Sequence, residues 1–80
     1  MSELIPLSEL ELGVPATIQS MNVEGTVNQR LMALGLAPGG NVEIEHIAPL
    51  GDPISLGFGL QKVMLRRRDA ENIIVKPVKK

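Results

Sequence analysis

Along most of this chain, apolar and polar residues alternate in short runs, and glycine or proline closes each run. Ala16 to Met21 reads as a first strand. Val42 and Ile44, with His46 next in phase, alternate with Glu43 and Glu45, which is the pattern of a half-buried strand. Ile54, Leu56 and Phe58 alternate with small residues and predict a return strand. Val63 and Leu65 alternate with Lys62, Met64 and Arg66, and Ile73 and Val75 supply the last strand. The breakers Gly13, Pro15, Gly25, Pro38, Gly39, Gly40, Pro49, Gly51 and Pro53 are spread between these runs, as in a small all-β domain.

One segment has a different period. Between Thr26 and Gly35, the residues Val27, Leu31 and Leu34 follow i, i+4, i+7 and predict one apolar stripe on a helix. Thr26 is the expected cap, with Gln29 at the third helical position of a capping box. Gly35 can take the left-handed conformation that ends a helix, Leu36 can pack back, and Pro38 prevents continuation. Ser8-Glu9-Leu10-Glu11 fits a second capping box, with Ser8 as the cap of a single turn closed by Gly13. Asp69 to Asn72 reads as a turn or short helix, and Ala48 to Pro53 as a loop held by two prolines. Five short strands with one short helix between the first two predict a mainly β fold, a small, partly open barrel. No repeat or linker divides residues 1–80, so a single domain is expected.

Composition narrows the chemistry. The chain has 80 residues, of which 44% are hydrophobic, and Phe58 is the sole aromatic, so the core must be aliphatic. Cysteine is absent, which excludes disulfides, thiolate metal sites and a Cys nucleophile, and points to a reducing compartment. The first residues, Met1 to Pro6, have neither the basic region nor the apolar run of a signal peptide. No stretch approaches the roughly 18 apolar residues of a membrane span. Met1 and the Lys79-Lys80 end read as those of a complete small protein.

The net charge of −1 conceals an uneven distribution. Residues 1–52 carry seven acidic groups against the single basic Arg30, a net −6; residues 53–80 carry seven basic groups against Asp69 and Glu71, a net +5. Such asymmetry marks either an acidic or polyanionic partner, or acidic and basic strands that pair and neutralise each other.

Several segments, taken in order, are specific to one family. They are Leu7-Ser8-Glu9-Leu10 with Gly13, Arg30 to Leu36 with Pro38-Gly39, Ala48-Pro49-Leu50-Gly51-Asp52-Pro53, Leu65-Arg66, and Asp69-Ala70 with Ile73 and Val75. In order and spacing the chain resembles the FeoA family over nearly its whole length, with the Ala48–Pro53 stretch the most distinctive part. The resemblance implies an SH3-like barrel acting in bacterial ferrous-iron uptake. It also implies a partner, the cytosolic GTP-binding part of a FeoB-type inner-membrane transporter. The implied place is cytoplasmic, peripheral at the inner membrane through that partner and without insertion of its own.

The residues themselves favour a binding protein over an enzyme. His46 is the one histidine, and Ser2, Ser8, Ser20 and Ser55 have no nucleophile-elbow context, so no catalytic residue is expected. Ferrous sites generally use two His and a carboxylate, or thiolates. His46 with Asp52, Glu43 or Glu45 falls short of that set, and no metal site or cofactor is expected. Gly57-Phe58-Gly59 resembles part of a glycine-rich loop, but no helix follows to aim at a phosphate, so a bulge or tight bend is the better reading. Arg66-Arg67-Arg68 is the strongest charge run, and strand alternation would put Arg66 and Arg68 on one face and Arg67 on the other. Three uses compete for it: solvated strand-end arginines, an acidic protein partner, and nucleic acid. Nucleic acid is disfavoured because single-strand binding uses aromatic platforms that Phe58 alone cannot supply. A further alternative has Arg66 supplied in trans to activate a GTPase.

The candidate partner-binding residues are Leu50, Arg66, Met32 and Asp52. Leu50 is either an apolar tip on a loop stiffened by Pro49 and Pro53, or a cap folded over the barrel end. Met32 flanks the helix stripe and can extend either the core or an interface. Lys79 and Lys80 are expected to tune mostly the salt dependence of the on-rate.

Overall fold

A computed structural model describes residues 3–78, so Lys79 and Lys80 lie outside the described residues. Six strands form one antiparallel sheet: β1 (Ile5–Pro6), β2 (Ala16–Met21), β3 (Asn41–Ile47), β4 (Ile54–Phe58), β5 (Gln61–Leu65) and β6 (Ile73–Pro77). Helix α1 (Gly25–Ala33) joins β2 to β3, and a short helix α2 (Arg67–Ala70) joins β5 to β6. The strand order is β1-β6-β2-β3-β4-β5. The sheet is therefore open, with β1 and β5 as its edges. The predicted five strands are the five longer ones. The sixth, β1, is a two-residue edge pairing Ile5 with Val75 and Pro6 with Ile74, and it is too short to show a period.

The alternation in the sequence becomes a single aliphatic core. Ala16 and Ile18 of β2, Val42 and Ile44 of β3, Ile54 and Leu56 of β4, Leu65 of β5, and Ile73 and Val75 of β6 are all buried in one cluster with Leu7, Leu10, Leu31 and Leu36. No described polar or charged residue is buried with them. Every second side chain of a strand faces one side, so the pleat alone carries this segregation.

Two bulges account for the departures from strict alternation. In the β3–β4 pair, Ile44 faces Leu56 but His46 faces Ser55, so Glu45 is the extra residue. His46 and Ile47 consequently lie exposed, where unbroken alternation would have turned His46 inward. The Glu45 side chain occupies the space above Gly57 where a Cβ would otherwise stand. It reaches Lys62 Nζ at 3.4 Å, the one ion pair among the described residues. Gly57 therefore serves close approach, as a strand glycine often does. Among the described residues, that pair is the one ion pair joining the acidic half to the basic half. The second bulge lies between Ile18 and Ser20, where β2 pairs with β6.

Neither predicted capping box forms. The first turn is a 3₁₀ helix, Leu7–Glu9, whose N-cap is Pro6, and Ser8 lies inside it. Helix α1 begins at Gly25 with Glu24 as N-cap and no side-chain capping bond, so Thr26 is already helical. The C-terminus is as predicted. Gly35 has φ +102°, the Leu36 N–H donates to Leu31 O at 3.0 Å and the Gly35 N–H to Met32 O at 3.0 Å. These are the two bonds of a Schellman motif, which needs a residue tolerant of positive φ.

The helix stripe is narrower than its period suggests. Leu31 is fully buried and Val27 partly so, but Leu34 is 38% exposed. The chain turns at Gly35, and Leu36 takes the core position that Leu34 was expected to take. Phe58 is likewise only partly buried against the core.

Candidate functional site

The Ala48–Pro53 loop is built by backbone bonds among its own residues. The Gly51 N–H donates to Ala48 O at 2.7 Å, closing a four-residue turn with Pro49 in its second position, where a fixed φ suits it. The Ala48 N–H donates to Pro53 O at 3.1 Å and shuts the base of the loop. Leu50 stands at the tip, 96% exposed, so it does not fold over the barrel end.

This loop is fastened to α2. Arg66, the N-cap of α2, is extended, with φ −70° and ψ 145°. The first N–H groups of a helix lack intrahelical acceptors. That of Arg67 donates instead to Asp52 Oδ1 at 3.0 Å. A carboxylate at that end also suits the helix dipole. The Arg67 guanidinium reaches back over the loop, where a Cβ on Gly51 would lie 3.2 Å from its Nη1. Asp52 thus has a structural task that its position in the sequence does not reveal. Asp52→Ala is expected to cost about 0.5–1.5 kcal/mol by loss of this cap, read as a small fall in melting temperature.

Arg66 and Arg68 fall on one surface and Arg67 on another, as expected, but for a different reason. Strand β5 ends at Leu65, and the arginines are parted by the turn into α2 instead of by strand alternation. Arg66 and Arg68 line a groove of about 510 Å³ together with Val27 and Arg30 of α1, Asp52 and Pro53 of the loop, and Met64 and Leu65 of β5. Val27 and Arg30 are three residues apart, so they share a face of the helix. Of the four candidate residues, Asp52 and Arg66 line this groove, and Leu50 belongs to the loop that forms one wall. Met32 is not among the lining residues. It lies on the solvent side of α1, 48% exposed, with Asn28 Nδ2 donating to its Sδ at 3.8 Å, so it does not extend the core.

Sequence reasoning did not single out Arg30 and Met64, and noted Arg68 only within the charge run, because elements distant in sequence bring the three together. A second exposed apolar feature was also missed. Leu60 sits in the β4–β5 turn, 105% exposed, beside a hollow shared with Leu34 and Phe58. Gln61 Nε2 ties that hairpin to the helix end, donating to Leu34 O at 3.1 Å. The Gly59-Leu60 pair between Phe58 and Gln61 was the available signal, since two-residue hairpin turns often begin with glycine.

Among the described residues, no group of three or more His, Cys, Asp or Glu side chains is placed to hold a metal ion. His46 projects from β3, whereas Asp52 is occupied at α2. Anaerobic calorimetry with ferrous ion is expected to show no stoichiometric site of micromolar affinity. One tight equivalent, abolished by His46→Ala, would contradict this.

Comparison with known proteins fits this architecture. The FeoA domain family profile matches residues 5–77. A protein of Porphyromonas gingivalis, an Fe(2+) transport protein A/Fe(2+) transporter FeoB fusion, is 35% identical over 69 residues. That match covers 86% of this chain but only 8% of the fusion protein. The solution structure of the Chlorobium tepidum FeoA protein is 39% identical, with a TM-score of 0.90, covering 94% of this chain and 71% of that one. The zinc-complexed FeoA of Stenotrophomonas maltophilia, described as an SH3 domain protein, is 28% identical with a TM-score of 0.75, covering 94% of this chain and 88% of that one. The six-stranded open sheet, the short helix after β2 and the family match over residues 5–77 lead to one conclusion: the chain belongs to the FeoA domain family.

Proposed function

We propose that this chain is a non-enzymatic binding module of bacterial ferrous-iron uptake, which docks on the cytosolic GTP-binding part of a FeoB-type transporter and regulates it. The observation that carries this reading is the Porphyromonas gingivalis fusion, in which a domain like this one and FeoB share one polypeptide. Tethering raises the effective concentration of one module for another, which is useful where the two act by contact. The surface is suited to contact more than to chemistry. It presents an apolar tip at Leu50 and, at Arg66 and Arg68, arginines that form no ion pair among the described residues, and its single histidine lies apart from them on β3.

On this reading the chain works at the cytoplasmic face of the inner membrane. No described helix is long and apolar enough to cross a membrane. Leu50 and Arg66 are the anchors, Asp52 holds the Leu50 loop against α2, and Met32 is an outlying contact. Capture from membranes with the wild-type chain as bait tests the reading. The expected result is recovery of the FeoB-type transporter, identified by mass spectrometry. Recovery of nucleic acid without the transporter would overturn it.

A further inference from the structure

The groove between α1 and the β5–α2 junction is defined by its charges and by its apolar lining. Arg30, Arg66 and Arg68 line it, and none of the three forms an ion pair among the described residues. Arg67, the fourth guanidinium nearby, lies over the Leu50 loop. Val27, Pro53 and Met64 add apolar side chains to the same lining, and Met64 is an exposed large hydrophobic residue. Three planar donors around an apolar strip match carboxylates spaced along a chain that also carries aliphatic side chains.

We propose that this groove is the seat of an acidic, amphipathic segment of the partner protein, whose carboxylates pair with Arg30, Arg66 and Arg68 while an aliphatic side chain lies on Met64, Val27 and Pro53. The inference rests on the binding-module reading and adds to it the place and the chemistry of the contact. A nucleic-acid strand fits less well. Asp52 and Asp69 also line the groove, where they oppose a continuous run of phosphates. They tolerate a peptide whose charges are interrupted by neutral residues. None of the lining residues is aromatic, so the groove offers no stacking platform for bases.

The test is a titration of the isotopically labelled full chain, followed by amide shifts, with three probes at one ionic strength. The probes are the purified cytosolic part of the FeoB-type transporter, a synthetic peptide of glutamates and leucines with its glutamine counterpart, and a single-stranded oligonucleotide. The transporter part and the glutamate peptide are expected to shift the same amides, in Val27 to Arg30 and at the β5–α2 junction, and the glutamine peptide to shift none. Arg30→Gln and Arg68→Gln are each expected to weaken transporter binding about fivefold or more. Lys76→Gln, the same charge change outside the groove, is expected to stay within about twofold.

Normal transporter binding by both arginine variants overturns the groove and leaves the binding-module reading standing. No transporter binding by the wild-type chain removes that reading. The glutamate peptide then decides the groove alone: shifts confined to it sustain the inference, and their absence ends it. Tighter binding of the oligonucleotide than of the glutamate peptide, at the same amides, overturns the inference in favour of nucleic acid.

Discussion

Leu31→Ala should lower the unfolding free energy by about 3–5 kcal/mol, the upper part of the range for large-to-small core substitutions. Leu31 is fully buried, and it is the one residue of α1 that is. Its side chain fastens the helix to an aliphatic core that, among the described residues, holds no buried polar or charged side chain, so nothing polar lines the space it leaves. A domain of this size has a total stability of about 4–12 kcal/mol, so the variant should lose about a quarter of it or more. The stripe partner Leu34 makes the contrast. With 38% of its surface exposed, Leu34→Ala should cost only about 1 kcal/mol, well under the loss its place in the helical period implies. Glu45→Ala, which removes an exposed pair with Lys62, should cost less than about 1 kcal/mol. Urea melts of the three variants with unchanged slopes would give these values directly. Equal shifts for Leu31→Ala and Leu34→Ala would show that the helix packs on a different face.

Leu50→Ala should act on binding without acting on stability. A side chain that is 96% exposed contributes almost nothing to the folded core, so the melting temperature should stay within about 1 °C of wild type. If Leu50 enters a desolvated pocket on the transporter, its truncation should weaken binding by about tenfold to a hundredfold, the range of a central apolar anchor. The change should appear in the off-rate, because the loop is already closed by the Gly51–Ala48 and Ala48–Pro53 bonds and loses little entropy on docking. Melting and binding measured on the same sample separate an anchor from a bystander. Wild-type affinity in Leu50→Ala would remove Leu50 from the interface.

The strands were legible in the sequence because their side chains largely follow a period of two, as in Ile54–Phe58. The end of α1 was legible for a local reason, since Gly35 followed by Leu36 suits a Schellman motif in any setting. The starts of the helices were not. Ser8 and Thr26 have the right chemistry for caps, but the N-caps are Pro6 and Glu24, each two residues earlier. His46 was turned outward by a bulge at Glu45, and its signal, Gly57 on the opposite strand, is informative only once the register is known. The loop that carries Leu50 was visible from its prolines, whereas the bond from Arg67 to Asp52 spans fifteen residues and has no sequence pattern. The groove is the extreme case. Arg30, Asp52 and Arg68 come from three separate elements, and only the sheet order brings them to one surface.

The most direct measurement is calorimetry of the wild-type chain with the purified cytosolic part of the FeoB-type transporter from the same genome. Docking predicts saturable one-to-one binding with a Kd at or below about 100 µM, a standard free energy of about −5.5 kcal/mol or better. Heats indistinguishable from dilution, with and without guanine nucleotide, would contradict it.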